Sequence, residues 1–211
     1  MIRYLATLMF AFSAVALGSS GNISKVNGSI AVETGRQAGD VETVNGSITI
    51  REDARVRSVE TVNGSVEFYA RAQADEVETV NGDVTLAEDV LVAGDVSTVN
   101  GDITLRGGAR VDGGLENVNG DFLVEGATVR RGLETTNGDI RIGRGSTVDG
   151  GIRVAKPGGW GWNKSKSLPR ITIESGAVVS GTLRFEREVE LQVASDATIG
   201  PLEGVAPKRV P

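Results

Sequence analysis

The dipeptide Asn-Gly recurs at residues 27–28, 45–46, 63–64, 81–82, 100–101, 119–120 and 137–138, with spacings of 18, 18, 18, 19, 19 and 18 residues. So short and regular a period restricts the chain to a solenoid, because one repeat of this length cannot bury its apolar side except against the next. A shorter period lies inside it. Val26, Val32, Ala38, Val44, Ile50, Val56, Val62, Phe68, Ala74, Val80, Leu86 and Val92 stand six residues apart, and the series resumes at Val99, Leu105, Val111, Val118 and Val124. Three sixes make one coil.

After each Asn-Gly comes an apolar pair around one polar residue: Ile48 and Ile50, Val66 and Phe68, Val84 and Leu86, Ile103 and Leu105. This alternation, rich in β-branched residues, is that of a strand with one face buried. Copies stacked in register place like over like. The predicted fold is therefore all-β, a single-stranded parallel β-helix with 18–19-residue coils, right-handed by the general crossover preference. Asn27, Asn45, Asn63, Asn81, Asn100, Asn119 and Asn137 are expected to stack at one corner, amide bonding to amide, with the following glycine supplying a positive φ.

Residues 1–20 stand apart from the repeat. Arg3 precedes an apolar run from Tyr4 to Leu17 and small residues at Ala16, Gly18, Ser19 and Ser20, the layout of a cleavable signal peptide. The run is short of the roughly 20 residues of a spanning helix. The expected organisation is thus a signal at 1–20, β-helix repeats at 21–155, a Gly/Trp/Lys loop at 156–169, terminal coils at 170–200 and a tail at 201–211. Export to the periplasm or cell surface follows, with no transmembrane span after cleavage. The tail, PLEGVAPKRVP, reads as too rich in proline to add a rung.

Absences in the composition limit the chemistry. There is no cysteine and no histidine, so disulfides, Ser-His-Asp and Cys-His catalysis and most zinc sites are excluded. Neither a cofactor nor a metal is expected, and the protein reads as a non-enzyme. Residues 22–155 hold 22 acidic and 13 basic side chains, whereas 156–211 hold 6 and 8. An acidic body repels phosphates, so nucleic acid is not an expected partner.

Two acidic columns accompany the repeat. Asp83, Asp102, Asp121 and Asp139 follow Asn-Gly and suggest either a calcium line or carboxylates that cap their own corners as Asx turns; the repeat G-G-x-G-x-D-x-U-x that binds calcium is absent, which favours the second. Glu42, Glu60, Glu78, Glu116 and Glu134, beside Thr43, Thr61, Thr79, Thr98 and Thr135, read as a solvated face. The loop KPGGWGWNKSKSLPR breaks the symmetry: Trp160, Trp162, Lys164 and Lys166 there are either partner-binding residues, aromatics beside cations being suited to a sugar or peptide, or a lid whose two rings fold back over an apolar seam of the rod.

The repeated V-E-T-V-N-G-[SD]-[IV]-x-[IVL] unit resembles a family of exported bacterial β-solenoids grouped as adhesins, a domain family of unknown function. The stretches GGARVDGGLENVNGDFLVEGATV and GAVVSGTLRF are similar to bactofilins, polymer-forming bacterial cytoskeletal β-helices. The resemblances imply a β-helix over about residues 22–200 and carry no catalytic site. The function expected is a structural or adhesive element of the cell envelope, with an envelope polysaccharide or protein as partner. The alternatives are a bactofilin-like scaffold self-associating through its rod ends and a carbohydrate-binding or carbohydrate-active β-helix.

Overall fold

The computed structural model describes residues 21–157 and 168–210. They form a parallel β-solenoid of about nine turns, with coils about 19 residues apart. Among these residues, two sheets have ten strands each and a third has seven, and every strand pairs in parallel with its counterpart one coil away. Strands such as Val41–Asn45 and Glu76–Asn81 make the first sheet, Ile48–Ile50 and Val84–Leu86 the second, and Leu91–Val92 and Arg110–Val111 the third. Register follows the sequence repeat: Asn27 lies beside Asn45, Asn45 beside Asn63 and Asn63 beside Asn81.

The core is a stack of aliphatic layers. Val41, Val59, Val77, Val96, Leu115, Leu133 and Ile152 fill it from the first sheet, and Ile48, Val66, Val84, Ile103, Phe122 and Ile140 from the second. Two of the three apolar six-residue columns are buried as their spacing implies. The third is not. Val44, Val62, Val80 and Val99 lie on the outer face, because within each strand of the first sheet Val41 points in, Glu42 out, Thr43 in and Val44 out. The threonines, expected on the solvated face, are therefore interior: Thr43, Thr61, Thr79 and Thr98 are buried.

The corner between the second and third sheets repeatedly takes a left-handed backbone. Gly35, Gly108, Gly126, Gly145 and Gly176 have positive φ there, and Asp53, Arg71 and Asp89 adopt it without being glycine.

The tail also differs from expectation. Leu202–Gly204 joins the first sheet beside Leu183–Phe185, and Lys208–Arg209 joins the second beside Glu190–Val193. Pro201 and Pro207 do not prevent this, since each immediately precedes its strand, where no ladder N–H is required of it.

Candidate functional site

Stacking turns each outward or corner position into a column. Four polar columns decide what the surface can do.

At the Asn corner, each Nδ2 donates to the Oδ1 one coil earlier. The distances are 3.0 Å for Asn45 to Asn27, Asn63 to Asn45 and Asn81 to Asn63, 2.9 Å for Asn100 to Asn81 and Asn119 to Asn100, and 3.1 Å for Asn137 to Asn119. The last acceptor, Asn137 Oδ1, takes a bond from Arg187 Nη1 at 2.9 Å, and the same nitrogen reaches Thr136 O at 3.2 Å. The guanidinium thus closes the ladder, and no periodicity in the sequence announced it. Replacing Asn81 by Ala removes two of these bonds at an exposed corner where water replaces part of the loss. It is expected to cost about 1 kcal/mol, and Asn27→Ala, with one ladder neighbour, less; denaturant melts of the two variants compare them.

The glycine beside each Asn is needed for a reason other than the expected one. In this column only Gly28 and Gly120 have positive φ. A Cβ on Gly46, Gly64, Gly82, Gly101 or Gly138 would instead run into the carbonyl of the glycine one coil earlier. Close approach between rungs, not turn geometry, excludes a side chain.

Inside the same corner, Thr43 Oγ1 donates to Gly28 O at 3.2 Å, Thr61 to Gly46 O at 3.1 Å, Thr79 to Gly64 O at 3.2 Å and Thr98 to Gly82 O at 3.1 Å. The pattern is interrupted between Thr98 and Thr135. Asn117 occupies the threonine position, and its Nδ2 takes Gly120 O of its own coil. That is the acceptor Thr135 would use, and both Thr135 Oγ1 and Asn117 Oδ1 are buried without a partner. Asn117→Thr would turn to Gly101 O and release Gly120 O for Thr135. A gain of about 1 kcal/mol in urea unfolding is expected; a loss would show that the asparagine is held for another reason.

The Asp column is neither a set of self-capped corners nor a free row of carboxylates. Asp83 Oδ1 accepts the Asp102 amide at 2.9 Å, Asp102 Oδ1 the Asp121 amide at 2.7 Å, Asp121 Oδ1 the Asp139 amide at 2.7 Å and Asp139 Oδ1 the Arg170 amide at 2.8 Å. Each side chain caps the next coil rather than its own. Ser29 and Ser65 do the same over 3.3 Å. Among the described residues no group of three or more Asp and Glu side chains is arranged to hold a metal ion.

The fourth column has no such partners. Glu42, Glu60 and Glu78 are direct neighbours in adjacent strands of the first sheet. Burial, then the charges of Glu78, Glu42, Asp40 and Glu76, push the Glu60 carboxyl up to about 7. Burial likewise raises Glu78, with Glu76, Glu116 and Asp95 adding to it, and raises Glu42, with Asp40 adding. Farther along, the column becomes self-neutralising: Arg153 bridges Glu134 at 2.7 Å and Glu186 at 2.8 Å. A groove of about 500 Å³ opens there, lined by Asp95, Glu116, Arg131, Glu134, Arg153 and Arg184 among others.

Trp160, Trp162, Lys164 and Lys166 lie outside the described residues, as does the segment 1–20. The boundaries of the loop are described. Lys156 N donates to Glu186 Oε2 at 3.3 Å on one side, and the Arg170 amide to Asp139 on the other. In the sequence it stands between Ile152–Val154 of the first sheet and Arg170–Ile173 of the second.

Fold and columns together define an all-β parallel β-solenoid with hydrogen-bonded corners. Comparison with protein-family models, with curated proteins and with solved structures finds no match, so no family is assigned.

Proposed function

We propose that the protein is a non-enzymatic, exported β-solenoid serving as a structural or adhesive element of a bacterial cell envelope. The observation that carries this reading is the unbroken Asn ladder, six in-register amide bonds closed by Arg187. A stack fastened in this way is suited to hold a long surface rigid and to present the same groups at every rung. Cell fractionation with N-terminal sequencing of the mature chain tests it. The mature protein is expected outside the cytoplasm, beginning near Ser19 to Asn22; full-length protein in the cytoplasm would overturn export and move the bactofilin-like scaffold from alternative to first place.

Two features weigh against assembly through the rod ends. Lys25 stands at the threonine position of the first described coil, its Nζ on Ser29 O at 2.8 Å, and so places a charge at the N-terminal end of the described stack. The last strands carry Lys208, Arg209 and the flanking prolines. Charges and prolines on edge strands oppose further pairing. A carbohydrate-binding surface is the second reading, favoured by the groove between Arg131, Arg184 and Glu116, whose mixed donors and acceptors suit hydroxyl groups. Arg131→Ala with Arg184→Ala should then abolish retention on envelope polysaccharide, and unchanged retention would reject that groove.

A further inference from the structure

Three of the four stacked polar columns satisfy themselves, Asn through amides, Thr, from Thr43 to Thr98, through glycine carbonyls and Asp through backbone amides. The Glu42, Glu60, Glu78 column breaks that rule. Its carboxylates stand one rung apart in register, where like charges repel, and among the described residues none of the three has a hydrogen-bond or ion-pair partner, whereas Glu134 in the same column is met by Arg153. The neighbouring Asp40 is already taken by Arg57, Ser58 and Asn22. Beside the acidic column, on the same outer face, runs the partly exposed aliphatic strip of Val44, Val62, Val80 and Val99. A local rule broken at consecutive rungs, next to apolar surface, marks a face shaped for something outside the chain.

We propose that this outer face of the first sheet, from Val41–Asn45 to Glu76–Asn81, docks a basic amphipathic helix of a partner protein, its Lys or Arg side chains on Glu42, Glu60 and Glu78 and its aliphatic side chains on the valine strip. Charge complementarity selects the occupant. Three uncompensated, partly desolvated carboxylates gain most from cations that arrive as a row. Spacing selects the helix: rungs about 4.8 Å apart put Glu42 and Glu78 about 10 Å from each other. A helix lying along the rod brings residues i, i+4 and i+7 to one face over about the same length, at 1.5 Å per residue. Apolar residues on the adjoining stripe of such a helix then meet the valines.

The test is calorimetric titration of the full chain near neutral pH with a synthetic helical peptide carrying Lys at i, i+4 and i+7 beside a row of Leu, compared with a scrambled peptide of the same composition. The patterned peptide is expected to bind more tightly by about tenfold or more. Glu42→Gln, Glu60→Gln and Glu78→Gln combined should remove that preference, while Glu33→Gln, Glu52→Gln and Glu88→Gln combined, on another part of the coil, should leave it. Binding should release protons, seen as a heat that changes with buffer ionisation, because an arriving cation expels the proton held on the column. Val62→Ser with Val80→Ser should weaken the patterned peptide and spare polylysine. Equal binding of the two peptides, or equal loss from both acidic triples, would reduce the effect to the overall negative charge and overturn the proposal. Full displacement of the peptide by spermine at comparable concentration would overturn it in favour of a small polycation.

Discussion

Gly82→Ala is expected to destabilise the solenoid by about 3 kcal/mol or more, in excess of most single overpacking substitutions. The added methyl would overlap the Gly64 carbonyl and stand 2.9 Å from the Ser65 amide nitrogen. Neither is the movable end of a side chain. The rungs at this corner are held by Gly64 N to Asn81 O and Gly82 N to Asn100 O, both 3.0 Å, and by the Asn amide ladder beside them. Room for the methyl can come only from parting those bonds. Gly35→Ala is the informative comparison, since nothing lies within 4 Å of its added Cβ and its cost is confined to the positive φ of 68°. That strain amounts to about 1–2 kcal/mol. Urea unfolding of both variants decides the matter. An Ala at 82 no costlier than one at 35 would mean that the rungs part cheaply at this corner and that close approach is not what excludes a side chain.

Acidification from about pH 8 to about pH 5 is expected to stabilise the protein, the reverse of the usual trend for an acidic chain. Burial and the stacked like charges hold Glu60 at about 7 and raise Glu42, Glu78 and Glu116 as well. A carboxyl whose pKa is higher folded than unfolded binds its proton more tightly in the folded state. Stability is then full below the unfolded value, about 4.3, and falls as pH rises through about 7. With partly exposed groups screened by solvent, the gain is about 2 kcal/mol, or roughly 4–8 °C in Tm for a chain of this length. Below about pH 4 the sign reverses, because Asp40, Asp112 and Glu186 are held under their usual range by hydrogen bonds from Arg57, Arg110 and Arg153. Glu60→Gln should raise the Tm at pH 8, leave it nearly unchanged at pH 5 and flatten the slope between them. A Tm that is constant or falls from pH 8 to pH 5 would place these carboxylates in an environment no different from water.

What the amino-acid sequence determined by itself is whatever repeats. A constant period forces identical residues into register, so the parallel pairing, the coil length and the neighbouring positions of Asn27 through Asn137 were all legible from spacing. The direction in which each column points was less so. Val44 and Thr43 are adjacent and both acceptable to a strand, and only the continuation of alternation from Val41 through the corner sends the threonine inward to a glycine carbonyl and the valine outward. Once that is known, the Glu column and the valine strip share one face, a juxtaposition that no spacing rule distinguishes from a solvated edge. The tertiary structure alone decided the remaining features, which are those that do not repeat. Arg187 caps the Asn ladder from 50 residues away, Arg153 joins Glu134 in the preceding strand of the first sheet to Glu186 just after the next, and the proline-flanked strands of the tail find open edges to complete. The physical reason is common to all three. A repeat fixes positions through local geometry copied coil after coil, whereas a single long side chain or a terminal strand goes wherever the finished stack leaves an unpaired group within reach.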